Sequence, residues 1–131
     1  MSTGIIVDTC VWIEFFREPN SEFTLHLKSL LRERKVIMVG MVMAEILQGV
    51  KSPKEANLVE QNLAKLPYLE ITREIWVTAG KMSASLRSTG NTIPLSDLII
   101  AAMALSGNYE IFTIDQHFNK IDGLKLHHIN I

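Results

Sequence analysis

The sequence predicts an α/β sandwich built on a largely parallel central sheet. Three observations carry that expectation. Short apolar runs of strand length recur along the chain, segments of helical period separate them, and Gly, Pro, Ser and Asn stand at the junctions. A crossover between parallel strands needs a connection the size of a helix, so regular alternation of this kind implies a sheet covered on its faces.

The elements follow in order. Residues 4–8 read as a buried strand and 9–17 as a helix, with Thr9 as the expected N-cap. Within that helix Trp12, Phe15 and Phe16 lie at helical spacing and are read as core or subunit interface, ahead of a base-stacking platform. Helical propensity continues over 21–34 and ends in the basic group Arg32, Arg34 and Lys35. Val36 to Val39 form a second strand, and Gly40 releases the chain into a helix over about 41–50. Ser52-Pro53-Lys54-Glu55 has the form of a capping box with proline at the first helical position, opening a helix to about Lys65. Leu69 to Ile71 form a short strand, 73–87 a helix, Gly90-Asn91 a turn, and Ser96 to Leu105 a helix ended by Gly107. Strands over 110–114 and 125–129 close the chain.

Bulk properties bound the function. With 131 residues and 47% apolar composition the chain reads as one domain, residues 1–131, large enough to bury a core without covalent staples. The single cysteine, Cys10, excludes an internal disulfide and a Cys-rich zinc site, and it suits a reducing, cytoplasmic setting. Nothing at the N-terminus has the basic and apolar regions of a signal peptide. The longest apolar run, Leu98 to Leu105, falls far short of the ~20 residues that span a bilayer, so no membrane association is expected. The net charge of −1 provides no global field for nucleic acid, and a polyanion would have to be held by a local patch or through metal.

Four acids stand alone in apolar surroundings. Asp8 follows Ile5-Ile6-Val7 and precedes Val11-Trp12-Ile13; Glu45 is the one charge between Lys35 and Lys51; Asp97 is the one charge from Ser88 to Tyr109; Asp115 follows Glu110-Ile111-Phe112-Thr113-Ile114. None has a Lys or Arg near it in sequence. A carboxylate beside apolar surface raises its pKa, finds a base or binds a cation, and several together favour the cation. Asp8 and Asp115 fall at the C-terminal ends of predicted strands, and Glu45 and Asp97 on helices that follow strands or extended segments. That edge is where ligands of parallel sheets collect, so the four are expected to converge. Singly, each has an ordinary reading. Asp8 and Asp97 suit helix N-termini, Glu45 the wet face of a helix, and Asp115 a turn. His117 lies near the expected site and is read as structural or solvated, ahead of a substrate contact, His26 as a helix-surface residue, and Cys10 as a small core residue. His127 and His128 are adjacent and point to opposite faces, so they cannot chelate one ion together.

The order GIIVDTCVWIEFF, MAEILQGV, IPLSDLIIAAMAL, IFTIDQHF resembles the PIN-domain nucleases, and within them the VapC-like toxins of bacterial toxin–antitoxin operons. The resemblance implies a three-layer α/β/α sandwich and a metal-dependent ribonuclease, often a homodimer, held inactive by a cognate antitoxin. Residue by residue it implies that Asp8, Glu45, Asp97 and Asp115 are the acidic site, with Thr9 and Thr113 as the hydroxyl residues beside Asp8 and Asp115.

An all-oxygen donor set suits Mg2+ or Mn2+. On this reading Asp8 and Asp97 bind the resting metal, and Asp115 acts through water or a second ion. Glu45 does the same or orients the attacking water, and Thr9 and Thr113 fix carboxylate rotamers. Cleavage would leave a 5′-phosphate and a 3′-hydroxyl. Arg17, Arg32, Arg34, Lys35, Lys81 and Arg87 are candidate phosphate contacts. The alternatives are an RNA-processing PIN nuclease without an antitoxin, a non-catalytic RNA-binding PIN module, and a phosphohydrolase with Asp8 as nucleophile. The last commonly needs a second acid two residues on, where this chain has Cys10.

Overall fold

The computed structural model describes residues 4–129. Five parallel strands, β1 (Ile5–Val7), β2 (Val36–Val39), β3 (Tyr68–Leu69), β4 (Glu110–Phe112) and β5 (Lys125–Leu126), form one sheet in the order β3-β2-β1-β4-β5. Ile5 pairs with Val36 on one side and Glu110 on the other, which fixes the register of the three central strands. All three residues of β1 are buried, as a strand covered on both faces requires.

Helices α1 (Thr9–Arg17) and α2 (Glu22–Arg32) connect β1 to β2, and α3 (Gly40–Gln48) and α4 (Pro53–Leu63) connect β2 to β3. Helices α5 (Arg73–Ser88) and α6 (Leu95–Gly107) return the chain across the sheet to β4. Right-handed crossovers place α1 to α4 on one face and α5 and α6 on the other once the direction of winding reverses. The result is the three-layer α/β/α sandwich. The core is built on α6, where Leu98 to Ala104 are buried without interruption.

Several boundaries differ from the sequence reading, each for a physical reason. Asp8, not Thr9, caps α1: its backbone is extended at φ −69°, ψ 156°, and its side chain accepts from the Thr9 N–H. Either residue type makes a good cap, and the buried strand end decides which does. Asn108 adopts the left-handed conformation at φ 58° and stops α6, so Gly107 is the last helical residue. Strand β3 starts one residue earlier than expected and ends at Leu69, where its pairing with Val39 ends. Strand β5 stops at Leu126, and only the His127 N–H continues the ladder, to the Ile111 carbonyl at 2.8 Å. Residues 116–120 form a 3-10 turn between β4 and β5. The capping box appears as read, with Ser52 Oγ accepting from the Glu55 N–H at 3.1 Å.

Among the described residues the buried polar side chains are Asp8 and Thr24. Thr24 donates to the Glu18 carbonyl at 2.7 Å and accepts from Ser21 Oγ at 3.1 Å, so it locks the corner between α1 and α2. Thr24→Val keeps the shape and removes those bonds. It is expected to cost at least about 1 kcal/mol in equilibrium urea unfolding; a loss too small to detect would mean that the corner holds without the hydroxyl.

Candidate active site

The strand order reverses its winding between β1 and β4, and the crevice at their C-terminal ends is the topological switch point of the sheet. Asp8 leaves β1 at that point and is only 5% exposed. Its backbone N–H donates to the Phe112 carbonyl at 2.9 Å, tying it to the end of β4. Its Oδ1 accepts from the Thr9 N–H at 2.9 Å, and its Oδ2 accepts from Thr113 Oγ1 at 2.8 Å. Thr113 Oγ1 also accepts from the Asp115 N–H at 2.9 Å, so one hydroxyl sets both the Asp8 carboxylate and the backbone that presents Asp115. Thr9 works on the other side: its hydroxyl donates to Glu45 Oε1 at 2.7 Å and couples α1 to α3. Thr9 and Thr113 therefore stand where they can fix carboxylate orientation.

Asp97 lies in the first turn of α6, whose N-cap, Pro94, has no capping side chain. Asp115 caps the 3-10 turn by accepting from the His117 N–H at 2.9 Å. That turn brings the His117 ring between two acids, with Nδ1 3.0 Å from Asp97 Oδ2 and 3.1 Å from Asp115 Oδ1. Ligand atoms of Asp97, Asp115 and His117 all lie within 4.8 Å of one another. Asp8 and Glu45 stand outside that tight group, attached to it through Thr113 and Thr9 respectively.

Burial raises the Asp97 carboxyl above the usual aspartate range, and the negative charges of Asp8 and Asp115 push it further up, while the His117 hydrogen bond opposes them. Asp8, Asp97 and Asp115 thus share one field. Glu45 is placed beside them by Thr9. Among the described residues the only Lys or Arg ion pair is Lys35 with Glu33, at 3.8 Å, far along the chain from these acids. The carboxylates therefore repel one another, with a single imidazole N–H shared between two of them. Such a donor set fits a divalent cation, since carboxylate oxygens face each other where, among the described residues, no Lys or Arg pairs with them.

Two residues read as bland in the sequence belong here. His117 is two positions beyond Asp115, the spacing at which a carboxylate caps its own i+2 N–H and draws that side chain alongside. Cys10 is half-buried, donates to Asp8 Oδ2 at 3.4 Å and accepts from the Ile114 N–H at 3.4 Å. Burial and the Asp8 charge push its thiol up, which keeps it a protonated donor and not a nucleophile.

Fold and site together define a parallel α/β domain with an acidic centre at its switch point. The chain belongs to the PIN domain family, whose signature spans residues 5–124. It is similar to the VapC ribonuclease Mb1587 of Mycobacterium bovis, with 28% identity over 121 residues, 89% of this chain and 90% of that protein. Among solved structures it is similar to VapBC2 from Rickettsia felis bound to a DNA fragment from its promoter, with TM-score 0.80, 19% identity, and 96% and 98% of the two chains covered. A toxin–antitoxin complex from Klebsiella pneumoniae gives TM-score 0.75 at 19% identity over 92% and 95% of the chains.

The raised pKa carries a sign that can be checked. A carboxyl raised in the folded state adds stability below its unfolded pKa of about 3.9 and loses it as pH rises through the folded value. At neutral pH, without metal, the ionised Asp97 therefore opposes folding. In EDTA at pH 7, Asp97→Asn is expected to be more stable than wild type, with the gap closing as pH falls toward about 4. Urea unfolding at both pH values measures this, and an Asp97→Asn protein less stable at pH 7 would show that the side chain is a structural support.

Proposed function

We propose that this chain is a metal-dependent endoribonuclease and the toxin of a toxin–antitoxin pair, acting on RNA in the cytoplasm. The observation that carries the reading is the meeting of Asp97 and Asp115 around His117, beside the buried Asp8 and with no Lys or Arg pairing among the described residues, in a PIN domain. A relative over most of the chain is named a VapC ribonuclease.

In place of the pair Asp8 and Asp97 expected from the sequence, Asp97 and Asp115, whose carboxylates meet, would hold Mg2+ or Mn2+, with Asp8 completing the acidic set. The cation, when bound, supplies positive charge to the scissile phosphate and acidity to a water molecule. Asp8 keeps its orientation because Thr9 and Thr113 occupy one lone pair on each oxygen. Glu45 Oε1 is engaged by Thr9, which leaves Oε2 to accept a proton from the attacking water. Water attacks phosphorus, the 3′-oxygen leaves, and the products carry a 5′-phosphate and a 3′-hydroxyl. His117 shares its N–H between Asp97 and Asp115 until a cation takes over those oxygens. A cavity of about 350 Å3 is lined by Arg17, Lys51, Glu45 and Glu55, and its two basic side chains are candidate phosphate contacts next to Glu45.

The same reading assigns two partners. An apolar groove of about 390 Å3 between α1 and α4, lined by Trp12, Phe16, Leu58 and Leu63, is offered to an amphipathic helix of the antitoxin. Solved relatives of this fold include a toxin–antitoxin complex. Tyr68, Trp76, Val77 and Leu95, each about half exposed, form the apolar surface for a homodimer.

The direct test is cleavage of pooled tRNA and ribosomal RNA by wild type and Asp97→Ala, each with Mg2+, Mn2+ or EDTA. Discrete cuts by wild type that vanish with EDTA and with the substitution are expected; cuts that survive EDTA would overturn the metal reading. Thr113→Val leaves the acids in place and removes the hydroxyl that aligns two of them. It is expected to lower the cleavage rate roughly 10–100-fold, and a rate equal to wild type would show that Asp8 and Asp115 need no such alignment.

A further inference from the structure

A second group of metal-type ligands lies outside the acidic centre, where α2 packs against Phe112 of β4 and the residue just past β5. His26 on α2 and His127 just past β5 point their Nε2 atoms at each other across 2.7 Å. Behind His127, its Nδ1 is 2.7 Å from Glu110 Oε1. The two rings meet end to end, their planes 26° apart and their centroids 5.0 Å apart, and the Phe112 ring packs edge-on against both. The His127 side chain is 19% exposed, so solvent reaches an otherwise aromatic pocket.

We infer that His26 and His127 form a two-histidine site for a borderline transition-metal cation of the Zn2+, Ni2+ or Cu2+ class, with Glu110 as the carboxylate that orients His127. The chemistry follows from the ring nitrogens. With its Nδ1 proton directed at Glu110, a neutral His127 carries its lone pair on Nε2. This carboxylate-backed imidazole is the arrangement that fixes the tautomer of metal-binding histidines. The facing His26 Nε2 either donates a proton to that lone pair or, with its proton on Nδ1, offers a second lone pair to the same point. Burial lowers the His26 pKa, the neighbouring His127 adds to that and Glu33 opposes it, the direction that favours a ring with a free lone pair. Two nitrogens bound to a tetrahedral ion sit about 3.3 Å apart. A small rotation of either ring therefore exchanges the shared proton for a cation, and water completes the coordination.

The site differs in kind from the acidic centre. Imidazole nitrogen selects Zn2+, Ni2+ and Cu2+, whereas the carboxylates select hard ions such as Mg2+. Binding would clip α2 to β4 and to the segment after β5. Glu110, which backs His127, is three residues before Thr113, about 10 Å along the strand, while His127 itself stands level with Phe112. The inference does not rest on the proposed nuclease activity.

The test uses untagged full-length protein carrying Asp97→Ala, which disables the acidic centre, titrated with Zn2+ or Ni2+ and followed by calorimetry and thermal unfolding. One equivalent is expected to bind and raise Tm, with no response to Mg2+. His26→Gln or His127→Gln in the same background should weaken binding by more than the roughly 10–100-fold that loss of an outer partner costs. Glu110→Gln retains both rings, covers the case of a histidine variant that does not fold, and is itself expected to weaken binding about 10–100-fold. Binding that is absent, or that is unchanged by the Glu110 and histidine substitutions, would overturn the site and leave the pair as a hydrogen-bonded strut.

Discussion

The structure turns on the placement of one buried carboxylate. Asp8 occupies the junction where β1 ends, α1 begins and the loop after β4 passes, and it bonds to all three. A charge this deep is costly unless its lone pairs are met. Thr9 and Thr113 meet two of them, and the Cys10 thiol adds a weak third contact. Those bonds also fix the spacing between β1 and β4 at their C-terminal ends, which sets how far Asp115 stands from Asp97. The acidic centre is therefore a consequence of how the switch point is closed. Its geometry around Asp8 depends on short side chains at the start of α1 and in the loop after β4.

Capping and cation binding are compatible uses of the same carboxylates. Asp8 caps α1 and Asp115 caps the 3-10 turn, as the ordinary reading of each would have it. A carboxylate offers about four lone-pair sites, and a cap occupies one. The cap then serves the second use, because it freezes the rotamer that aims the remaining oxygen. Asp97 differs, since it makes no capping bond and its partner is the shared His117 N–H. It is the acid with least structural return and the one that burial and neighbouring charge push up. That combination marks the position at which the fold sacrifices stability for chemistry.

What could be read from the chain and what could not divide along the range of the interactions. Strands β1, β2 and β4 were legible because burial on both faces leaves nearly unbroken apolar runs, and α4 because Ser52 and Pro53 announce its start. Element ends were missed where two residues compete for one role, as Asp8 with Thr9 and Gly107 with Asn108. The short β5 was overestimated because pairing, which sequence does not show, ends it. All four acids stand out through their isolation among apolar neighbours, and the topology of a parallel sheet accounts for the meeting of Asp97 with Asp115 near Asp8, while Glu45 is reached only through Thr9. His117 and Cys10 do not, since each is defined by a carboxylate two residues before it that turns the backbone and draws the side chain in. The His26 and His127 contact spans 101 positions and carries no local pattern at all.

Strand β4 is the element through which these separate chemistries meet. Its first residue, Glu110, backs the paired imidazoles, and its last, Phe112, both packs against those rings and accepts from the Asp8 N–H. A three-residue strand held on both sides by parallel neighbours has little freedom to bend, so a displacement of α2 against Phe112 is passed along the strand, not absorbed. The residues that follow are Thr113 and Asp115, whose positions are set by a single hydroxyl. Tightening of the histidine pair would therefore limit the freedom of the loop that carries Asp115, while leaving the ligand preferences of the carboxylates unchanged. Coupling of that kind needs no long pathway, because Phe112 touches the imidazoles and directly precedes Thr113.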